Sequence, residues 1–228
     1  MKRKIVIVIY IILILISFKL LYNIGTNSRL INKYNNGEYT DNLARNLTYF
    51  NFLQRYVANY NYGNILYQKG EYESAIEEYK KALKGIVPKY KECNIRINYA
   101  LAICRTVNVN EKNQDSIKNA IKTYETAIEV LTEDGCANKT NNKGHSQKAE
   151  QLKKDIQKEI DRLKKLEKIE NDSNEEKEEN KKDKTKEDVE TIESKIQNIK
   201  EEATKDQRET ESKFTNYNKD INTRTKNW

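Results

Sequence analysis

Three cysteines and one histidine are the residues of this sequence whose side chains could form a covalent cross-link or bind a metal ion. Cys93, Cys104 and Cys136 lack the CxxC spacing of zinc and redox sites, and His145 is the sole histidine. A metal site in a protein usually needs three or four ligands. Because Cys136 and His145 together supply at most two, the sequence predicts no metal ion and no cofactor.

The pairing of the cysteines depends on the helices that carry them. Cys104 lies among apolar residues in the middle of a predicted helix, where a thiol acts as a small core residue. Cys93 begins that helix, and Cys136 follows the end of the next one. Antiparallel packing would bring these two ends together, so a Cys93–Cys136 disulfide is geometrically possible in an oxidising exterior. Two free thiols are the alternative.

Catalytic signatures are missing from the sequence. It contains no phosphate-binding glycine loop, no zinc-protease motif and no serine-hydrolase elbow. Its many carboxylates fall on solvated helix faces, where they favour solubility. We therefore predict a protein that is not an enzyme and has no small-molecule substrate. The abundance of Lys, Asn, Ile and Tyr is typical of an AT-rich bacterial genome.

Small and aromatic residues recur at helical spacing in the centre of the chain. Gly70 is expected to end one helix, because glycine adopts the left-handed turn at low cost. The following residues place alanines at i and i+7 and a tyrosine at i+4, on one face of the next helix. The pattern comprises Gly63, Gly70, Tyr72, Ala75, Tyr79 and Ala82, and it recurs in part at Ala120, Tyr124 and Ala127.

This pattern resembles the tetratricopeptide repeat (TPR), in which helical hairpins of about 34 residues stack on one another. The resemblance implies an all-α fold with about three TPR-like hairpins in residues 23–169, the last capped by a helix over residues 146–169. Residues 37–39 copy the central Gly-Glu-Tyr turn. Asn42 and Asn46 then occupy the positions where the family has alanine and an aromatic residue, so the first hairpin is degenerate.

Stacked hairpins form a concave groove that the first helix of each hairpin lines. The family register places arginines there that could attract acidic groups, an asparagine that could bond a peptide backbone, and tyrosines with flat apolar area. The alternative role of the tyrosines is packing between helices. The predicted peptide-binding residues are Arg29, Tyr60, Asn64, Tyr67, Asn94 and Arg105.

The N-terminal sequence predicts a membrane anchor. Residues 1–4 contain three basic side chains, and residues 5–22 form an apolar run of about 27 Å as a helix, long enough to cross a bilayer core. A cleaved signal peptide is the alternative, but no small-x-small cleavage site follows. We predict an uncleaved, single-pass signal-anchor with residues 1–4 in the cytoplasm and the C-terminal domain outside it.

The C-terminal sequence predicts a solvated tail. Residues 171–228 hold 13 Lys and Arg against 16 Asp and Glu, so the remaining chain carries the positive net charge. Such composition cannot bury a core. We predict a largely disordered tail over residues 170–228, with a short helix near residues 187–203 whose apolar spacing resembles a coiled coil.

The resemblance implies a membrane-anchored scaffold for a protein or peptide partner. The layout is similar to small anchored repeat proteins that accompany von Willebrand A-domain membrane proteins in bacteria, which makes such a protein a candidate partner. One alternative is a structural envelope tether that acts through the tail. Another is binding of anionic surfaces or nucleic acid by the basic face, although an exterior location disfavours nucleic acid.

Overall fold

The computed structural model describes residues 2–49, 51, 54–111, 113–141 and 143–179, with side chains up to residue 168. Regular structure in these ranges is helical, which confirms the predicted all-α class. The predicted helix near residues 187–203 lies outside the described residues. The helices are α1 (Lys2–Asn35), α2 (Asp41–Thr48), α3 (Arg55–Gln68), α4 (Tyr72–Leu83), α5 (Lys89–Thr106), α6 (Gln114–Thr132) and α7 (Gln147–Glu179), with a 3₁₀ turn at Glu133–Gly135.

The described helices fall into two compact units that meet in sequence at Lys89 and Tyr90. The first unit contains the hairpins α1–α2 and α3–α4. The second contains the hairpin α5–α6 and the terminal helix α7. The three predicted hairpins and the capping helix are therefore all present.

The same turn closes both hairpins of the first unit. Gly37 has φ 79° and Gly70 has φ 81°, the left-handed conformation expected at a helix C-terminus. In each turn the N–H of the following glutamate donates to a carbonyl five residues earlier, Glu38 to Lys33 and Glu71 to Leu66, at 2.9 Å. The degenerate first hairpin thus ends its first helix in the same way as the central one.

A buried cluster joins α1, α2 and α3. Ala44 and Leu47 are the buried residues of α2, whereas Asn42 and Asn46 are exposed. The two asparagines are tolerated because α2 turns a different face towards the core. The cluster consists of Leu30, Tyr34, Ala44, Leu47, Ala58 and Ile65, and Tyr39, Leu43 and Tyr62 pack against it.

α3 and α4 approach each other closely at Gly63. A Cβ atom at this position would lie 2.7 Å from Cε1 of Tyr79, closer than real carbon contacts. Ala75, Tyr79 and Ala82 are fully buried on the facing side of α4. The small and aromatic residues of the sequence pattern therefore form the contact between the two helices.

The second unit ends in a helix that is longer than predicted. Ser146 precedes α7 and its Oγ accepts a hydrogen bond from the N–H of Ala149, as an N-cap does. The helix continues to Glu179, past residue 169, because the sequence there has no Pro or Gly and is rich in Glu, which favours helices. Its apolar stripe is buried and consists of Ala149, Leu152, Ile156, Ile160, Leu163 and Leu166.

We expect Gly63→Ala to destabilise the protein. The added methyl group would meet the Tyr79 ring, and overpacking of this kind costs about 1–3 kcal/mol. This cost opposes the gain of about 1 kcal/mol that alanine brings to a helix interior. Thermal unfolding followed by circular dichroism in detergent measures the net effect.

Gly25→Ala is the matched control, because a Cβ atom there would have no neighbour within 4 Å. It should leave the melting temperature unchanged or raise it. Equal stability of the two variants would contradict the close contact at Gly63.

Candidate functional site

The predicted groove residues of the first unit differ in exposure. Arg29 lies on α1 and is exposed. Tyr60, Asn64 and Tyr67 lie on α3 and are only 2%, 1% and 3% exposed. These three predicted groove residues are therefore buried within the first unit.

The contacts of the α3 side chains explain their burial. The Tyr79 hydroxyl donates a hydrogen bond of 2.8 Å to Oδ1 of Asn64. The ring of Tyr60 lies 6.0 Å from that of Tyr79, and Tyr67 meets Tyr72 edge-on at 5.3 Å. These contacts tie α3 to α4, which is the packing role that the sequence left open as the alternative. A role in peptide binding stays a prediction for these residues.

Sequence reasoning missed a set of buried amides between α1 and α3. Asn61 donates from Nδ2 to Oδ1 of Asn27 at 2.7 Å, which links the two helices. Among the described residues, no donor reaches Oδ1 of Asn61, although this atom is buried. The asparagine-rich composition gave no signal that these amides would be internal. Together with apolar side chains they line a small cleft formed by Leu30, Ile31, Tyr34, Asn61, Asn64 and Ile65.

The predicted groove residues of the second unit lie on α5. Asn94 and Arg105 are both half-buried. Both side chains are partly accessible to solvent on the first helix of this hairpin, whereas Nε of Arg105 is buried. Arg29, Asn94 and Arg105 are thus the candidates with surface available to a partner.

A disulfide joins Cys93 at the start of α5 to Cys136 after the end of α6. The Cα atoms lie 5.4 Å apart, within the range that a disulfide requires. Cys104 is a buried free thiol. Burial raises the pKa of Cys104 well above its usual range, so this thiol is unreactive core, as the sequence predicts.

A tight turn carries the chain from α6 to Cys136. Asp134 and Gly135 both have positive φ, 52° and 72°. The loop then returns to this turn, because the N–H of His145 donates to the Gly135 carbonyl and that of Ser146 to the Cys136 carbonyl, both at 3.0 Å. The segment between Cys136 and α7 is therefore closed at its base.

The Glu150 side chain binds backbone N–H groups of this loop. Its carboxylate accepts hydrogen bonds from the N–H of Asn138 at 2.7 Å and from the N–H of Gly144 at 2.6 Å, and it pairs with Lys153 at 2.9 Å. Burial alone would raise the pKa of Glu150, but the bonds from Asn138, Lys153 and Gly144 lower it below the usual value. The carboxylate is therefore a charged clamp between α7 and the loop.

The closed loop places His145 beside the disulfide. Its Nε2 atom lies 3.1 Å from Sγ of Cys93. The ligand atoms of Cys93, Cys136 and His145 all lie within 4.8 Å of one another. The sequence indicates only Cys136 and His145 as possible ligands of one ion, because nothing in it shows that the loop folds back. The predicted hairpin, which brings Cys93 to Cys136, could have indicated Cys93 as the third member of this cluster.

A buried arginine reinforces the same end of the second unit. Arg96 pairs with Glu92 at 2.7 Å, with Asp134 at 2.5 Å, and with Glu133. Burial disfavours its charge, but the bonds to Glu92 and Glu133 outweigh this and raise the pKa of Arg96. The guanidinium therefore ties α5 to the turn that follows α6, beside the disulfide.

We expect intact protein, denatured and alkylated without reductant, to carry one alkyl group, on Cys104. The Cys93–Cys136 bridge closes a loop of 43 residues, so reduction should lower the free energy of unfolding by about 3–4 kcal/mol. Mass spectrometry and denaturant titration measure the two effects. In the Cys136→Ala variant, reductant should change nothing. Three alkylated cysteines in the unreduced protein would rule the bridge out.

Comparison with known proteins finds a family match in one stretch of the chain. Residues 63–102, which include α4 and most of α5, match the family model described as TPR repeat. No curated protein and no solved structure matches. The chain therefore contains a tetratricopeptide repeat, within a helical fold that is consistent with that family.

Proposed function

We propose that this protein is a membrane-anchored scaffold that binds a protein or peptide on the concave side of its repeats. The TPR match supports a role in protein–protein interaction, because stacked hairpins present an extended surface to a partner. The absence of catalytic motifs from the sequence agrees with a binding role.

The observation that carries the proposal is the continuity of α1. This helix is long and apolar enough to cross a membrane, and none of its apolar window is buried in the protein. From residue 23 onward the same helix turns buried side chains to the first hairpin, namely Asn23, Thr26, Leu30 and Tyr34. One helix thus supplies both the anchor and the first helix of the repeats, which would hold the first unit at the membrane surface without a flexible linker.

The proposed orientation of the membrane helix follows from the charges at its N-terminal end. The three basic residues before the apolar segment favour a cytoplasmic N-terminus, so the repeats would face the exterior. A disulfide between Cys93 and Cys136 agrees with an oxidising compartment. The proposed partner is therefore an envelope or membrane protein. The resemblance to small anchored repeat proteins makes a von Willebrand A-domain membrane protein one such candidate.

Charge and exposure suggest what the partner presents. Arg29 in the first unit is exposed, and Arg105 in the second is half-buried, each on the first helix of a hairpin. Guanidinium groups bind carboxylates in a bidentate manner. An extended segment with acidic side chains would therefore suit either unit.

We expect photo-crosslinking residues placed at positions 29, 94 and 105 of the full-length protein in its own membrane to capture the same partner. Glu77 on α4 and Lys122 on α6 are exposed residues of the second helices, so they serve as matched controls and should give little product. Adducts that form only from positions 77 and 122 would contradict binding on the concave side.

Deletion of residues 180–228 separates the scaffold from a tether that acts through the tail. A scaffold should keep its crosslinked partner after this deletion. Loss of every adduct, with the circular dichroism of the remaining protein unchanged, would favour the tether.

We expect the mature protein to retain residues 5–22, with the repeats outside the cytoplasm. Intact-mass analysis of protein from its native membrane reports the N-terminus, and protease added to the outside of intact cells should digest the repeats. A mature chain that begins beyond residue 22, or repeats protected from external protease, would contradict the anchor or its orientation.

A further inference from the structure

Three metal-ligand side chains converge at one end of the second unit. The sulfur atoms of Cys93 and Cys136 and the imidazole of His145 lie within 4.8 Å of one another. Tetrahedral zinc with bonds of about 2.3 Å to sulfur and about 2.0 Å to nitrogen needs ligand atoms about 3.5–3.8 Å apart. The side chains therefore need only small shifts, once the disulfide opens, to surround one ion.

The loop that carries His145 is tightly packed. A Cβ atom at Gly144 would lie 2.5 Å from the Cα atom of Ala137, so only glycine fits where the loop crosses itself. The Glu150 carboxylate fixes the Gly144 N–H, and the Gly135 carbonyl fixes the His145 N–H. The backbone at His145 is thus held on both sides, and Nε2 reaches Sγ of Cys93 at 3.1 Å.

Access and charge at this end of the unit suit a cation. Cys93 and Cys136 are buried, whereas His145 is exposed, so the cluster is open to solvent on the histidine side. The guanidinium of Arg96 nearby is paired with three carboxylates, those of Glu92, Glu133 and Asp134. One positive charge against three negative charges leaves these four side chains net negative, which favours a divalent ion beside them.

We propose that Cys93, Cys136 and His145 form a redox-gated zinc site, which is a disulfide when oxidised and binds Zn²⁺ when reduced. A dithiol reductant gives two electrons and two protons to the S–S bond, is itself oxidised to a disulfide, and leaves two thiols. Zinc then displaces both thiol protons and takes the imidazole as its third ligand. Thiolate and imidazole ligands select zinc over magnesium or calcium, which prefer oxygen.

Three protein ligands leave a fourth position of the ion open. In zinc sites this position holds water or an incoming ligand. Because His145 is the exposed member of the cluster, a carboxylate or imidazole from a partner could complete the coordination. Either the disulfide or the ion links the start of α5 to the end of α6, so the hairpin stays closed in both redox states.

The test uses the full-length protein in detergent, reduced with a dithiol that is then removed without oxygen. Zinc is titrated against a chromophoric chelator, and Co²⁺ is used in parallel to reveal thiolate-to-metal charge transfer. We expect one tight equivalent of zinc in the reduced protein and none in the oxidised protein. Cys104→Ala should bind as the unmodified chain does, because this buried thiol lies outside the cluster.

Variants of the three proposed ligands make the result decisive. His145→Ala removes an exposed side chain, so it should fold normally and bind zinc at least tenfold more weakly. Cys93→Ser should bind none and lose the charge-transfer band, with circular dichroism as the check on folding and Cys136→Ser as the second variant. Reduced protein that binds no more zinc than Cys93→Ser, or His145→Ala with unchanged affinity, would overturn the three-ligand site.

Discussion

The distance between α3 and α4 at Gly63 determines how the first unit is assembled. With no Cβ atom at this position, the Tyr79 ring lies close to α3, where a Cβ atom would otherwise stand. Its hydroxyl then reaches the Asn64 amide, so one aromatic residue supplies both the apolar contact and the hydrogen bond. The position of α3 in turn sets the core cluster, because Ala58 and Ile65 extend from the same helix towards α1 and α2. Tyr60, Asn64 and Tyr67, which the family register assigns to binding, are therefore fixed by the packing of α3 against α4.

The continuity of α1 gives this arrangement a consequence for function. An anchor joined to its domain by a flexible linker lets the domain explore a volume set by linker length. Here the same helix leaves the apolar segment and enters the core at Leu30 and Tyr34. The Asn27–Asn61 hydrogen bond further couples this helix to α3. With the proposed membrane anchor, a partner bound to the first unit would be held at a fixed height above the bilayer, which suits the assembly of membrane proteins better than the capture of distant ligands.

The second unit is secured by different forces. A covalent bond joins Cys93 to Cys136, and a buried guanidinium at Arg96 connects α5 to the turn after α6. A buried charge is costly unless it is paired, and here three carboxylates share it. A covalent bond and charge-assisted hydrogen bonds hold one geometry more strictly than apolar packing does, since their strength depends on direction. This strictness is what allows a loop of irregular sequence to deliver His145 to a defined position.

The sequence predicted well what depends on local periodicity. The alanine and tyrosine spacing located the hairpins, and glycines at residues 37 and 70 located the turns. It predicted poorly what depends on distant parts of the chain. The position of Tyr60 in the repeat pattern is the same whether its side chain contacts a partner or packs on Tyr79. Only the placement of the neighbouring helix α4 distinguishes these two roles. His145 has no regular spacing from Cys93 in the sequence, because it is brought there by the loop after Cys136, which hydrogen bonds to Glu150 and to the Gly135 carbonyl fold back. The proposed zinc site therefore lies where an irregular loop folds back against the ends of two helices. The helical periodicity of the sequence does not indicate where such a loop folds back.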